Sequence, residues 1–243
     1  MPVATIAGGT LHYDVTGRAL DRTRPPVALL LPQSTGPVGL GPFIAQLAAH
    51  HTVVTYDQRG TGGSSPMPVD MSMSTQAIDL IGLLDALEIR RATLLCHSTG
   101  CGIGISVAAK HPDRVAHLIL ASPWTHADPH LTTMQNLRIA AARALDPTQY
   151  ARFNAAVLFP PDFRRAHQSG FDQLAASAPA KPQDANEISR RLNAIMAFDA
   201  RPLLPTVQCK TLALTAQDDQ LMPSWFAAEA VHLIPDALSL IHI

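Results

Sequence analysis

The stretch LLCHSTGCG, residues 94–102, decides how the rest of this sequence folds. It runs from an apolar segment into a glycine-containing segment, and Ser98 stands at the change. A sharp turn from a buried strand into a helix crowds the backbone, so the residues two before and two after the serine must be small. Cys96, where glycine is usual, and Gly100 both meet this requirement. The pattern predicts an exposed Ser98 hydroxyl, a candidate nucleophile, with an ordinary helix N-cap as the alternative.

Two backbone amides are candidates for holding a negatively charged oxygen beside Ser98. The N–H of Thr99 lies at the start of the predicted helix, where the helix dipole favours negative charge. The second donor is expected in the loop after the apolar run VALLL (27–31), at Ser34, with Gln33 beside it as a candidate substrate contact. Neighbouring strand residues point to opposite faces, so His97 is expected to face away from the partners of Ser98 and to be structural.

Short apolar runs alternate with segments of helical spacing through the first half of the chain. The run VALLL (27–31) is typical of a strand buried on both faces, and HTVVTYD (51–57), ATLLCHS (92–98) and VAHLILAS (115–122) are further predicted strands. Strands that alternate with helices indicate a parallel sheet with right-handed crossovers. The sequence therefore predicts an α/β fold with a mostly parallel doubly wound sheet, whose first part spans residues 1–123.

The alternation of strands and helices stops between residues 124 and 204, where the sequence is helical in composition and no strand-like run occurs. This predicts an inserted helical cap over the carboxyl edge of the strands, where ligands bind in open sheets. Trp124, directly after a strand, is a candidate substrate contact. Five phenylalanines fall in the insertion, and they are either its own core or, for one or two, a pocket wall. The alternation resumes in residues 205–243, the second part of the core.

An acidic side chain follows the predicted strand KTLALTA (210–216). Asp218 and Asp219 are both candidates, and Asp219 is favoured because it lies three residues after Ala216 and four before Pro223. Such a carboxylate orients a histidine and stabilises its protonated form. The alternative is a pair of solvated aspartates in a turn.

The histidine of this Ser, Asp, His order comes last, in a loop beyond the final strand. The chain ends VHLIPDALSLIHI (231–243), and its end is expected to fall inside that strand. His242 would then lie within the strand, and His232 on the preceding helix. We therefore expect the sequence to be cut short before the catalytic histidine.

Charge and composition limit the kinds of binding partner that we expect. A net charge of -1 gives no basis for binding nucleic acid, and no apolar run reaches the roughly 20 residues of a membrane helix. The amino terminus does not resemble a signal peptide, so a cytoplasmic protein is expected. Three cysteines lack metal-site or disulfide spacing. We expect a small-molecule substrate, no metal and no cofactor, while the oligomeric state is open.

Three motifs carry a resemblance to a known superfamily. YDQRGTGGS (56–64), CHSTG (96–100) and DDQLMP (218–223) together resemble α/β-hydrolases. The insertion segments LFPPDF (158–163) and RRLNAIMAFD (190–199) resemble aminoacrylate hydrolases of pyrimidine utilisation, relatives of 3-oxoadipate enol-lactonases. The resemblance implies a cofactor-free serine hydrolase acting on a small acidic enamine, amide or lactone. It also implies a structural Asp57–Arg59 pair.

Other functions stay open at this point. Within the same fold the chain could be an enol-lactonase or a carboxylesterase, and a ligand-binding protein without turnover is the alternative of another class. Arg190 or Arg191 could pair with a substrate carboxylate or could be solvated surface charges.

Overall fold

The apolar runs of the sequence form one eight-stranded sheet. The computed structural model describes residues 2–21, 23–31, 40–180 and 183–242, without the side chains of 241 and 242. Within these ranges the strands are β1 Val3–Ile6, β2 Gly9–Gly17, β3 Val27–Leu30, β4 Thr52–Tyr56, β5 Ala92–His97, β6 Val115–Ala121, β7 Lys210–Ala216 and β8 Ala237–His242.

The strand order is β1-β2-β4-β3-β5-β6-β7-β8, and all pairs from β4 to β8 are parallel. The chain goes from β3 outward to β4 and then crosses back to β5, so the winding direction reverses between β3 and β5. Open sheets bind ligands outside the carboxyl ends of the strands at such a reversal. The predicted mostly parallel, doubly wound α/β sheet is confirmed.

Helices cover both faces of the sheet. Before the insertion they are α1 Gly41–Ala48, α2 Met73–Ala86 and α3 Thr99–Lys110. The Ser72 side chain accepts a hydrogen bond from the Thr75 N–H and so begins α2. Leu80, Leu83 and Leu84 of α2 are fully buried, and they join the residues of α3 in the main core.

Between β6 and β7 the secondary-structure elements of the described residues are all helices. The α-helices there are α4 Pro129–Ala144, α5 Pro147–Leu158, α6 Pro161–Ala166, α7 Gln168–Ser177 and α8 Ala185–Met196. Asp128 and Asp146 cap α4 and α5 through their side chains, and each cap is followed by a proline in the first turn. Helix α9, Ser224–Leu233, then follows β7.

The sheet begins with a hairpin that the sequence analysis missed. β1 pairs antiparallel with β2, and Ile6 lies opposite Gly9, so two residues close the turn. Gly8 there has φ +93, a conformation that glycine adopts without strain. In the described ranges, no helix is both long enough and apolar enough to cross a bilayer.

Candidate active site

Ser98 stands between β5 and α3 with a strained backbone. Its φ is 52° and its ψ is -121°, in a region that non-glycine residues seldom occupy. An ordinary N-cap residue has an extended backbone and a side chain that caps the helix. The Ser98 side chain makes no capping hydrogen bond. The geometry therefore disfavours the N-cap alternative and leaves the hydroxyl available at the carboxyl edge of the sheet.

Small residues around Ser98 are required by close packing. A Cβ added at Gly100 would lie 2.4 Å from the carbonyl oxygen of Leu30 in β3. A Cβ at Gly104 would lie 2.3 Å from Sγ of Cys96. The cysteine that replaces the usual glycine is thus accommodated by Gly104, one turn along α3.

A buried thiol also supports the turn. The Ser98 N–H donates to the carbonyl oxygen of Ala121 at 2.9 Å, and the Cys101 thiol donates to the same oxygen at 3.3 Å. Burial raises the pKa of Cys101, so the thiol stays neutral and keeps its proton for this bond. This role of Cys101 was not predicted, and its place three residues after Ser98 was the signal that could have found it.

Of the two predicted oxyanion donors, only Thr99 lies among the described residues. Thr99 is buried as the first residue of α3, which is the position the prediction requires. Ser34 and Gln33 lie outside the described residues. At the start of their loop, the buried Gln58 side chain donates to the Leu31 carbonyl oxygen at 2.8 Å.

Asp219 is held by the backbone of its own loop. Its Oδ1 accepts hydrogen bonds from the N–H groups of Leu221, at 3.0 Å, and Met222, at 2.8 Å. Asp218 is exposed, whereas Asp219 is half-buried. A pair of equally solvated aspartates is not what the structure shows, and Asp219 is the fixed one.

Ser98 and Asp219 lie at the same edge of the sheet. β6 separates β5 from β7, with Ala121 paired to His97 on one side and to Leu214 on the other. Two strand spacings amount to about 10 Å, which leaves room for an imidazole between the two side chains. The roles of nucleophile and acid remain predictions that this arrangement supports.

His97 is exposed and lies within electrostatic reach of Asp219. Desolvation by the surrounding protein lowers the pKa of His97, while the Asp219 carboxylate acts in the opposite direction. The expectation that His97 faces away from the partners of Ser98 stays a prediction. Among the described side chains, no histidine is hydrogen-bonded to Ser98 or Asp219.

His242 lies in a strand, as expected. It is the last residue of β8 and pairs with Ala216, so its backbone reaches the same edge as Asp219. The His242 side chain is not among those that the structure describes.

Trp124 fastens the insertion to the core. Its side chain is fully buried, its indole N–H donates to the Ile195 carbonyl oxygen at 3.3 Å, and its ring meets Phe198 edge-on. Direct contact with a substrate, as predicted, would require the insertion to move. Trp225 is half exposed instead, and its indole N–H donates to Asp128 Oδ2 at 3.1 Å.

Arginines proposed for other roles bind within the protein. Arg191 donates to the Gly60 carbonyl oxygen at 2.8 Å and pairs with Glu187, while Arg190 donates to the Val69 carbonyl oxygen at 3.1 Å. Both tie α8 to the loop after β4, so neither is a ready clamp for a substrate carboxylate.

Asp57 and Arg59 bind different structural partners. Arg59 forms a bidentate pair with Asp79 of α2, with distances of 2.7 and 2.8 Å. Asp57 accepts from the Gly63 N–H at 3.1 Å. Both residues hold the loop, as the resemblance implied, but through different partners.

A groove of about 1360 Å³ opens at the opposite, amino-terminal edge of the strands, between Arg24, Arg91 and Gln208. It is remote from Ser98 and Asp219. Among the side chains the structure describes, no group of three His, Cys, Asp or Glu residues is arranged to hold a metal ion.

Comparison with known proteins gives a consistent family. A family model described as alpha/beta hydrolase fold matches residues 34–241. A protein named "Putative carbamate hydrolase RutD" from Azorhizobium caulinodans is 30% identical over 237 residues, which cover 98% of this chain and 88% of that protein. A protein of the same name from Caulobacter vibrioides is 30% identical over 243 residues, covering 98% and 87%.

Solved structures agree in fold. An enol-lactonase from Burkholderia xenovorans matches with a TM-score of 0.85 and 24% identity, covering 99% of this chain and 91% of that one. A hydrolase from Pseudomonas aeruginosa matches with a TM-score of 0.84 and 26% identity, covering 98% and 88%. The resemblance stated from the three sequence motifs is confirmed.

Proposed function

We propose, because this chain belongs to the α/β hydrolase fold family, that it is a serine hydrolase with Ser98 as nucleophile and Asp219 as acid. The observation that carries the proposal is the backbone of Ser98. A φ of 52° is held at a serine whose hydroxyl does not cap the helix behind it. Strain of this kind costs roughly 1–3 kcal/mol and persists at sites where a side chain must be presented.

The proposed reaction is acyl transfer to water. Ser98 Oγ attacks the carbonyl carbon of the substrate while a base takes its proton, and the N–H of Thr99 donates to the oxyanion. The leaving group departs with that proton. Water, activated by the same base, then releases the acid from the acyl-enzyme and restores the hydroxyl.

Asp219 orients the base. Its Oδ1 is fixed by two backbone amides, which leaves Oδ2 to accept a hydrogen bond from an imidazole and to stabilise the imidazolium. His97 and His242 are the histidines that the described strands bring to this edge. His97→Asn and His242→Asn, compared by pre-steady-state labelling of Ser98, identify which of them, if either, takes the proton.

For the substrate, we propose a small acidic molecule with a carbamate, amide or enamine group. Relatives at 30% identity over almost the whole chain are named carbamate hydrolases. The segments at 158–163 and 190–199 favour aminoacrylate among such molecules. An enol-lactone or a simple carboxylic ester is the alternative that a substrate panel separates.

The test is covalent labelling with a fluorophosphonate probe, followed by peptide mass spectrometry. We expect the label on Ser98 and none in Ser98→Ala. Ser122 is a matched control, since it is half-buried, stands at the end of the next strand and also has a φ of 52°. Label that persists in Ser98→Ala, or that sits on Ser122, would refute the assignment of the nucleophile.

The acid is tested with its neighbour as control. Asp219→Asn is expected to lower the rate of p-nitrophenyl acetate turnover by about 10⁴-fold, the effect known for a lost triad carboxylate. Asp218→Asn changes an exposed side chain and is expected to leave the rate near that of the parent. Equal effects of the two changes would contradict the role of Asp219.

A ligand-binding protein without turnover is the second candidate, favoured by the missing hydrogen bond between a histidine and Asp219 in the described part of the chain. It predicts saturable binding of the acidic metabolite with neither labelling nor product. Labelling at Ser98 together with product formation would exclude it.

A further inference from the structure

The first turn of helix α4 contacts the loop that carries Asp219. His130 Nε2 lies 2.8 Å from the carbonyl oxygen of Gln220. A carbonyl oxygen can only accept, so Nε2 carries the hydrogen and donates it. Because α4 is the first α-helix of the insertion, this bond joins the insertion to the loop between β7 and α9.

The peptide group between Gln220 and Leu221 is hydrogen-bonded at both ends. Its carbonyl oxygen accepts from His130, and its N–H, which is that of Leu221, donates to Asp219 Oδ1 at 3.0 Å. Since a peptide group is planar, a rotation that moves the carbonyl oxygen also moves the N–H. Hydrogen bonds that follow one another in a chain also polarise and strengthen each other. The position of His130 therefore bears on the Asp219 carboxylate through one rigid group.

Two neighbouring side chains hold His130 in place. Asp128 begins α4 by accepting from the Leu131 N–H at 2.7 Å through Oδ1, and its Oδ2 accepts from the Trp225 indole N–H at 3.1 Å. The rings of His130 and Trp225 meet edge-on, with their centroids 5.5 Å apart. Trp225 lies in the first turn of α9, directly after the Asp219 loop. The start of α4 is thus tied both to this loop and to the helix that follows it.

We propose that His130 is a positioning residue for Asp219, acting through the peptide group between Gln220 and Leu221. The inference rests on the proposed function, in which Asp219 orients the catalytic base. The role requires an N–H donor at the place of Nε2, and it requires no charge on the ring. It gives the insertion a part in the reaction, because a side chain of the insertion fixes the loop of the acid.

The first test is independent of turnover and measures amide hydrogen exchange of Leu221 by NMR in the intact protein. His130→Phe keeps a ring beside Trp225 but has no donor, and it should accelerate exchange of the Leu221 N–H about three- to tenfold, the loss expected for one neutral hydrogen bond. His130→Gln places an amide NH₂ near the position of Nε2 and should bring the exchange rate back towards that of the parent.

His167 provides a matched control in the same insertion. Its ring Nδ1 also contacts a backbone carbonyl oxygen, that of Phe163, at 2.9 Å. His167→Phe should therefore leave exchange at Leu221 unchanged. Exchange at Leu221 that is the same in His130→Phe and the parent, or accelerated equally in His130→Phe and His130→Gln, would overturn the positioning role.

The second test asks whether the contact affects the chemical step. With p-nitrophenyl acetate, His130→Phe should lower kcat about three- to tenfold and leave KM near the parent value. His130→Gln should recover most of this kcat. In the background of Asp219→Asn, His130→Phe should have little further effect, because it acts through the missing carboxylate. A rise in KM at unchanged kcat, or a full additional loss in Asp219→Asn, would assign His130 to docking of the insertion and overturn the proposal.

The two tests fail in different ways for the two claims. Accelerated exchange at Leu221 in a protein that neither labels at Ser98 nor turns over the ester would refute the hydrolase and support the link from His130 to the Asp219 loop. Labelling and turnover that are unchanged in His130→Phe, with unchanged exchange at Leu221, would refute the role of His130 and leave the hydrolase standing.

Discussion

Gly104, which has no side chain, leaves room for the Cys96 thiol beneath the Ser98 turn. Gly104→Ala would bring a Cβ to 2.3 Å from a sulfur that is fully buried. Overpacking of this kind costs about 1–3 kcal/mol. We expect the free energy of unfolding, measured in urea, to fall by that amount.

The close approach of Cys96 Sγ to Gly104 also predicts that a second substitution restores the stability lost in Gly104→Ala. Removing the sulfur leaves Cys96 Cβ at 3.6 Å from the new atom, an ordinary contact. Cys96→Ala combined with Gly104→Ala should therefore be more stable than the sum of the two single changes predicts. Additive losses in this double-mutant cycle would contradict the packing described here. Cys209→Ala with Gly104→Ala is the control pair, and it should be additive.

The docking of helix α8 on the core depends on a buried guanidinium. Arg191 is 7% exposed, binds Gly60 of the loop after β4 and pairs with Glu187 on its own helix. Arg191→Gln should lower the free energy of unfolding by about 2 kcal/mol, because it removes charge-assisted bonds and leaves a carboxylate unpaired.

The loss of stability in Arg191→Gln should be confined to α8 and the loop after β4. Amide hydrogen exchange should accelerate in residues 57–69 and 185–196 and stay unchanged in β5 and β6. Arg190→Gln, at an exposed neighbour bound to the same loop, should change exchange much less. Uniform acceleration over the whole chain would show that Arg191 stabilises the fold globally rather than this junction.

Strands and helices were predictable where burial restricts the residue types that the sequence contains. β3 is a continuous apolar run because a parallel strand covered on both faces excludes polar side chains. β2 was missed since most of its residues are only half-buried, so its pattern mixes polar and apolar types. The glycines at 8 and 9 were a usable hairpin signal for it.

At the scale of the whole fold, the sequence could bring Ser98 and Asp219 together because carboxyl ends of parallel strands meet at one edge. Spacing along the chain does not show which partner a side chain such as Arg59 finds, so its bidentate pair with Asp79 of α2 could not be predicted.

The stability of the molecule against acid should depend on His97. Its pKa in the folded protein is lowered from the ordinary value of about 6.5. Below that pH the unfolded chain therefore binds a proton that the folded chain does not yet bind, so the free energy of unfolding falls as pH decreases through this window.

His97→Asn removes this contribution, and subtracting its urea unfolding curves from those of the parent isolates it from the other histidines. We expect the parent to lose stability relative to His97→Asn as pH falls below about 6.5. Asp219→Asn removes the attraction that opposes the shift, so NMR titration should find the pKa of His97 lower still, whereas Asp218→Asn should change it less because that side chain is exposed. A difference in stability that stays constant with pH, or a His97 pKa that ignores Asp219→Asn, would separate His97 from Asp219 and weaken the case for a base at this edge.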